Sequence, residues 1–302
     1  MNKTIDDKSQ YELMLDKYGF NNETMFLMVF SRLDFYVGRL IKVYDINNHI
    51  SLNGFILRIV SKMLNVAESI FLISTHNNDI SSMLTLSRSN VDSYAIINFL
   101  YNTITDADER LLRIMLYHID AFVTRISLLS KRNRNYDSFY ITNKAVNNVE
   151  TNCNNATLSD TENLRYIIET IKGNPKYTSI HPQVLEKGIW RHKIMSNNSR
   201  YSWRDLYKFA FNDFDSSFNH DYLSHYVHNL GISDIQYFED LTEIPFAISL
   251  NLHLINLTIK LLERTFPEIK SQYEKEYISE IFPVFLTFLT DNAKQEILTS
   301  SI

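Results

Sequence analysis

Serine and histidine side chains near residue 225 could exchange protons or hold a phosphate group. Ser224 and His228 are four residues apart in 222-YLSHYVHNLG-231, so on a helix they share a face and can hydrogen-bond each other or a common ligand. Histidine is the side chain suited to proton transfer near neutral pH. His228 is therefore a candidate site residue. His225 lies about 60° away around the helix and is interpreted as peripheral, and His220 is interpreted as part of a solvated face.

Arg88 and Asp92 form a second candidate set within the predicted helix 80–102. They are four residues apart, and their helix face is otherwise apolar, with Leu84, Val91, Ala95 and Phe99. Charges in an apolar stripe are costly unless they are paired, which predicts an ion pair that also meets a further group. Two interpretations stay open: a structural bridge that joins two helices, or part of a functional site.

The next predicted helix, 106–130, carries further candidates. His118 and Arg125 are seven residues apart, about 20° from each other around the helix, and share a face with apolar side chains. A lone histidine there would be explained as a core residue, but the added arginine favours a site. Arg113 and Asp120 fall within a narrow polar arc that resembles an ordinary solvated face.

Common metal-site and nucleotide-binding motifs are missing from the sequence. It contains no His-Glu-x-x-His, no paired Glu-x-x-His, no Walker loop, no Gly-x-Gly-x-x-Gly and no Gly-x-Ser-x-Gly, and Cys153 is its single cysteine. We therefore expect no metal and no cofactor. The net charge of −5 and the pI near 6.0 argue against a general nucleic-acid coat but leave room for a local phosphate site.

The candidate side chains must be positioned by helices. Glycine (6) and proline (5), which sheets and tight turns use heavily, are scarce among the 302 residues, and apolar residues recur at helical spacing. This predicts an all-α fold, a bundle of long helices in a single domain spanning 1–302. Helices are predicted at 9–19, 22–45, 50–74, 79–103, 106–132, 160–172, 202–212, 215–230, 239–266 and 268–298.

Two stretches qualify that pattern. The polar, asparagine-rich segment 131–160 has no clear period and predicts a surface loop, with a flexible insertion at 133–160. The longest uncharged run, 244–259, is shorter than the roughly 20 apolar residues of a membrane span and predicts the central helix of a soluble bundle. With one thiol and no signal-peptide order at the N-terminus, a cytoplasmic location is expected.

Three elements of the sequence resemble a family of bacterial all-helical proteins that has no established activity. These are 86-LSRSNVDSYAIINFLYN-102, 112-LRIMLYHIDAFVTR-125 and 222-YLSHYVHNLG-231, in that order. The family shows a Ser-Arg-Ser…Asp helix, an Arg…Asp…Arg helix and a late Leu-Ser-x-x-Val-His-x-Leu-Gly element. The resemblance implies site positions at Arg88, Asp92, Arg113, Asp120, Arg125, Ser224 and His228.

The sequence also resembles the HEPN superfamily, helical proteins that include metal-independent ribonucleases of toxin and phage-defence systems. Their hallmark is an arginine, a polar residue, a few more residues and then a histidine. The stretch 113-RIMLYH-118 has this spacing, but Ile114 stands where the polar residue is expected. Arg113 and His118 are also about 140° apart on a regular helix, so the motif would need a kink.

The candidate residues and the two resemblances leave three functions open. The first is RNA cleavage without a metal, in which His228 or His118 carries the proton and Arg88, Arg113 or Arg125 holds the phosphate. The second is a non-enzymatic helical binding or sensor protein that recognises a small anionic ligand or a protein partner, and the third is a purely structural role. RNA or a small anionic ligand is the expected partner, a homodimer is one assembly considered, and no membrane association is expected.

Overall fold

Helices dominate the computed structural model, and the predicted all-α fold is confirmed. The structure describes residues 22–76, 79–134, 143–193, 199–211, 221–224, 226–227 and 243–286. The helix predicted at 9–19 lies outside them.

Most of the long helices lie where the apolar period predicts them. Asp79 caps the third of these helices, because its side chain accepts a hydrogen bond from the Ser82 amide at 3.1 Å. Phe99–Thr103 and Ile269–Tyr273 are π-helical. The α-helices are α1 (Asn22–Ile41), α2 (Leu52–His76), α3 (Ile80–Asn98), α4 (Ala107–Arg134), α5 (Asn143–Gly173), α6 (Pro182–Glu186), α7 (Trp203–Ala210), α8 (Glu243–Thr265), α9 (Glu274–Glu280) and α10 (Phe282–Leu286).

The chain divides into two compact units. The first comprises 1–44, 57–101 and 207–302, and the second comprises 45–56 and 102–206. The single-domain organisation of 1–302 stays a prediction.

Helix α8 packs against α1 and α3 in the first unit. Phe26, Leu33 and Leu40, spaced by seven residues on α1, are almost completely buried. Burial of an aliphatic or aromatic side chain of this size stabilises a fold by roughly 1.5–3 kcal/mol. The apolar stripes that the sequence shows on these helices therefore supply the core of this unit.

A polar contact lies inside that core. Asn251 on α8 donates to Ser87 Oγ at 2.8 Å and accepts from Asn90 Nδ2 at 2.9 Å, and the side chains of all three residues are buried. Asn251 also donates to the carbonyl of Ala247 at 2.8 Å. Buried amides are costly without such partners, so these bonds fix how α8 and α3 lie along each other.

Helix α8 is long and apolar enough to cross a membrane, with a mean hydropathy of 1.4 in its most apolar stretch. The uncharged run 244–259 belongs to a helix of 23 residues. The short length of that run was the argument against a membrane span, and the longer helix removes this argument. Half of that stretch is buried inside the structure, and core helices of soluble proteins pass the same length and composition test.

Helices α4 and α5 pack against each other in the second unit. The loop predicted at 131–160 is wrong for 143–160, which belongs to α5. A mainly apolar repeat in steps of three or four residues runs through this asparagine-rich sequence, as expected of a helix that packs on one face. Its positions, all apolar except Asp160, are Val146, Val149, Cys153, Ala156, Asp160, Leu164, Ile167 and Ile171. Packing against a partner helix overrides the weak helix propensity of asparagine.

A glycine allows the turn after α6 to approach α4 closely. Gly188 has a φ of +59°, a conformation that side chains disfavour. A Cβ at this position would lie 2.4 Å from the amide nitrogen of Asp120 and 2.6 Å from the carbonyl oxygen of Leu116. Both are backbone atoms of α4, so only glycine fits.

Candidate functional site

The predicted pairing of Arg88 and Asp92 is confirmed. On α3, Arg88 Nε lies 3.2 Å from Asp92 Oδ1, with 13% of the arginine side chain and 32% of the aspartate side chain exposed. The pair is therefore sheltered but reachable from solvent, so it is worth more than an exposed ion pair and costs less desolvation than a fully buried one.

Ser224 provides the further group that the pair was expected to meet. Arg88 Nη1 donates a hydrogen bond to Ser224 Oγ at 2.9 Å, across 136 residues of sequence. Residues 221–224 are helical, which places Ser224 on a regular turn. Two of the three elements that carry the family resemblance therefore meet in the first unit.

Tyr207 on α7 completes this group of side chains. Its hydroxyl donates to Asp92 Oδ1, and its ring lies under Arg88, with the guanidinium carbon 5.0 Å from the ring centroid. Burial, together with the negative charge of Asp92, raises the pKa of Tyr207, so the phenol keeps its proton and remains a donor. We call Arg88, Asp92, Tyr207 and Ser224 the Arg88 cluster.

The Arg88 cluster holds a guanidinium in one orientation. The carboxylate fixes one edge of Arg88, the serine hydroxyl fixes another and the tyrosine ring supports its face. The guanidinium of arginine matches phosphate and carboxylate geometry. An arriving anion would have to share Arg88 with Asp92, so the cluster favours a ligand that also has a proton to give to the carboxylate.

The histidines of 222-YLSHYVHNLG-231 and the preceding His220 lie outside the described residues. This applies to His228, the candidate proton carrier, and to His225. Ser224, which is hydrogen-bonded to Arg88, is therefore the part of this predicted site that the structure describes. The role of His228 stays a prediction.

Arg113 is buried rather than part of a solvated face, and this expectation is wrong. Only 1% of its side chain is exposed. It pairs with Glu109 at 2.8 Å, and its Nη1 donates to the carbonyl oxygens of Trp190 at 2.7 Å and His192 at 2.9 Å. Residues 190–192 cover this face of α4, so the guanidinium anchors that segment within the second unit.

His118 is buried in an aromatic environment, as its apolar face predicts. Its ring meets His49 edge-on with the centroids 5.1 Å apart, and it makes a similar contact with Phe55 at 5.7 Å. Helix α4 runs from Ala107 to Arg134 without an interruption, so Arg113 and His118 stay about 140° apart around it. The structure therefore does not join them into one site.

Arg125 does not share the buried face with His118, contrary to the expectation. Its side chain is 59% exposed, and its Nε lies 3.2 Å from a carboxylate oxygen of Asp160 on α5, which is buried. Arg125 lies about two helical turns beyond His118, beside Asp160 of α5, and its long side chain keeps its charge in water there.

Asp120 and Arg125 line one shallow groove of about 440 Å³ along α4, together with Tyr117 and Thr124. Partial burial raises the pKa of the Asp120 carboxyl, and the positive charges of Arg191 and Arg200 oppose this shift. The seven predicted residues that can be described thus fall into two groups, with Arg88, Asp92 and Ser224 in the first unit and the others in the second.

Sequence reasoning did not identify Tyr207 as part of the candidate site. It lies in 203-WRDLYKFA-210, where an apolar spacing predicts a core helix, and the ring is indeed buried. The hydroxyl group was the available signal, because a buried tyrosine requires a hydrogen-bond partner.

Within the described residues, no group of three or more histidine, cysteine, aspartate or glutamate side chains is arranged to hold a metal ion. No family model, no curated protein and no solved structure matches the chain.

Proposed function

We propose that the Arg88 cluster is the phosphate-holding part of an HEPN-like, metal-independent ribonuclease of a toxin or phage-defence type. The observation that supports this most directly is the hydrogen bond from Arg88 to Ser224. It connects an oriented guanidinium to the segment whose sequence leads, four residues later, to His228.

The proposed reaction is an internal transfer within RNA. His228 accepts the proton of a ribose 2′-hydroxyl, the 2′-oxygen bonds to the adjacent phosphorus, and the bond from phosphorus to the 5′-oxygen breaks. The products are a 2′,3′-cyclic phosphate and a 5′-hydroxyl end that takes up a proton. Arg88 stabilises the charge that builds on the phosphate oxygens. Asp92 and Tyr207 are positioning residues, since they hold Arg88.

A non-enzymatic binding or sensor protein is the second candidate. The described side chains of the Arg88 cluster hold and orient a charge, and no histidine is among them. This arrangement suits recognition of a small anionic ligand without any reaction. A protein partner that offers a carboxylate or a phosphorylated side chain would use the same guanidinium.

The test is cleavage of a single-stranded RNA oligonucleotide in the presence of a metal chelator. His228→Ala should reduce the cleavage rate by about 100-fold or more, the usual contribution of a positioned acid or base. Arg88→Lys should also slow cleavage strongly, because an ammonium group cannot reproduce the fork of the guanidinium. His225→Ala is the matched control and should stay within about two-fold of the wild-type rate.

Thermal unfolding of each variant separates a loss of activity from a loss of structure. Equal slowing by His228→Ala and His225→Ala would indicate general destabilisation and remove His228 from the proposed mechanism. Wild-type protein that leaves RNA intact would reject the ribonuclease and favour the binding protein. Products that end in a 3′-hydroxyl group would rule out the internal transfer.

A further inference from the structure

The second unit contains a cleft of about 1080 Å³, separate from the Arg88 cluster in the residues that form it. The first turn of α4 forms one part of the lining, and the turn Pro175–Tyr177 and helix α6 form another. Its volume is slightly above the usual range for small-molecule sites, roughly 300–1,000 Å³.

A short antiparallel ribbon contributes the remaining wall. His192 bridges Arg200, and the amide of Lys193 donates to the carbonyl of Ser199 at 2.9 Å. The amide of Tyr201 donates to the carbonyl of Arg191 at 2.7 Å. This pairing holds the backbone at Lys193 and Arg200 in place, so their side chains start from an ordered position at the cleft.

The acidic side chains of the cleft are already engaged by the protein. Asp106 accepts from the amide of Glu109 at 2.7 Å and so caps α4. Glu109 pairs with Arg113 at 2.8 Å. Asp108 pairs with Lys176 at 2.5 Å. Each carboxylate therefore has a partner that reduces its demand for a cation.

The basic side chains of the same cleft are engaged much less. Lys187, Lys193 and Arg200 line it, and none of them has a carboxylate within ion-pair distance in the described part of the chain. Lys193 lies over the ring of Tyr201, with its ammonium nitrogen 5.1 Å from the centroid. The surplus of charge in the cleft is positive, although the whole protein carries a net charge of −5. Such a local surplus attracts anions.

His192 adds an acceptor to the lining. Its Nδ1 lies 3.1 Å from the carbonyl oxygen of Ile189, so Nδ1 carries the proton and Nε2 is the acceptor of the neutral ring. Burial, reinforced by the positive charge of Arg113, lowers the pKa of His192 and favours that neutral form. An acceptor beside a surplus of cations suits a ligand that has hydroxyl groups as well as a negative charge.

We propose that this cleft binds a phosphorylated small molecule that carries hydroxyl groups, either a sugar phosphate or the sugar-phosphate part of a nucleotide. Lys187, Lys193 and Arg200 receive the phosphate, and His192 accepts from a hydroxyl group. The inference is independent of RNA cleavage, because it uses different residues in the other unit.

The proposal is tested by isothermal titration of the full-length protein at about 0.15 M salt, where screening suppresses diffuse attraction. Ribose 5-phosphate and adenosine 5′-monophosphate are the probes, and ribose without phosphate is the comparison. Wild-type protein should bind ribose 5-phosphate at least tenfold more tightly than ribose. A further tenfold gain with adenosine 5′-monophosphate would identify a nucleotide as the ligand class, whereas equal affinity would identify a sugar phosphate.

A pair of double variants decides whether the cleft is responsible. Lys193→Ala/Arg200→Ala should weaken binding of ribose 5-phosphate by tenfold or more, because it removes two charge-assisted contacts to the phosphate. Lys62→Ala/Lys172→Ala removes the same charge from exposed positions outside the cleft lining and should change the affinity by less than twofold.

Three results would overturn the proposal: no binding of either phosphate by the wild type, equal binding of ribose, or equal loss in both double variants. Unfolding curves of both double variants verify that they are folded. The ribbon is held by backbone bonds from Lys193 to Ser199 and from Tyr201 to Arg191, and alanine at positions 193 and 200 leaves these bonds in place.

Discussion

Arg113→Ala should lower the free energy of unfolding by about 3–5 kcal/mol, the cost observed when one partner of a buried ion pair is removed. Arg113 is 1% exposed and donates to two backbone carbonyls as well as to Glu109. Alanine would leave these acceptors without their donor and a cavity in place of the guanidinium. Urea unfolding followed by far-ultraviolet circular dichroism measures the change.

Lys176→Ala is the matched control in the same unit. Lys176 also pairs with an acidic residue of the first turn of α4, but 64% of its side chain is exposed, compared with 1% for Arg113. Solvent screens exposed ion pairs, so this variant should unfold almost like the wild type. Similar small losses in both variants would show that Arg113 is solvated in solution, as the sequence pattern had suggested.

Gly188→Ala should destabilise the protein by roughly 2–5 kcal/mol, the sum of a left-handed backbone cost and an overpacking cost. The added Cβ would lie 2.4 Å and 2.6 Å from backbone atoms of α4. A backbone cannot rotate aside as a side chain does, so the turn after α6 must move. Thermal unfolding should show a clearly lower melting temperature.

Gly38→Ala provides the opposite result from the same chemical change. Gly38 lies within α1, and nothing is found within 4 Å of the position that its Cβ would occupy. Alanine in an exposed helix interior is favoured over glycine by about 1 kcal/mol, so this variant should be more stable than the wild type. A melting temperature for Gly188→Ala at or above the wild-type value would contradict the close approach to α4.

The sequence was sufficient for the features that depend on local spacing. The helical period of the apolar residues lies within each helix, so the all-α fold could be predicted from it. Arg88 and Asp92 pair across one helical turn, which any helix of this sequence brings about. The contact of this pair with a further polar group could also be predicted from the helix alone. Two charges on an apolar stripe need more hydrogen-bond partners than they supply to each other.

The features that were missed depend on contacts between distant segments. Arg113 is buried by residues 190–192, and the sequence of the helix predicted at 106–130 does not indicate that this distant segment covers it. The helix at 160–172 was predicted, but its extension over 143–159 was missed because asparagine disfavours helices locally. The mainly apolar repeat of α5 stabilises the helix only when α4 lies beside it. The role of Tyr207 in the Arg88 cluster was missed for the same reason, because its partner Asp92 is 115 residues away in the sequence.

The interleaving of the two units along the chain has a consequence for folding during synthesis. The final residues of the second unit, up to Leu206, leave the ribosome before Glu243–Thr265 does. Helices α1 and α3 are synthesised before that point, yet the apolar faces that pack against α8 stay uncovered until it arrives. Such exposed faces are what chaperones bind and what aggregates. Stalled chains whose second unit has fully left the ribosome, but which do not yet include α8, should therefore resist protease within 107–134 while α1 is still cleaved. Helices near the start of this sequence are thus among the last to become protected.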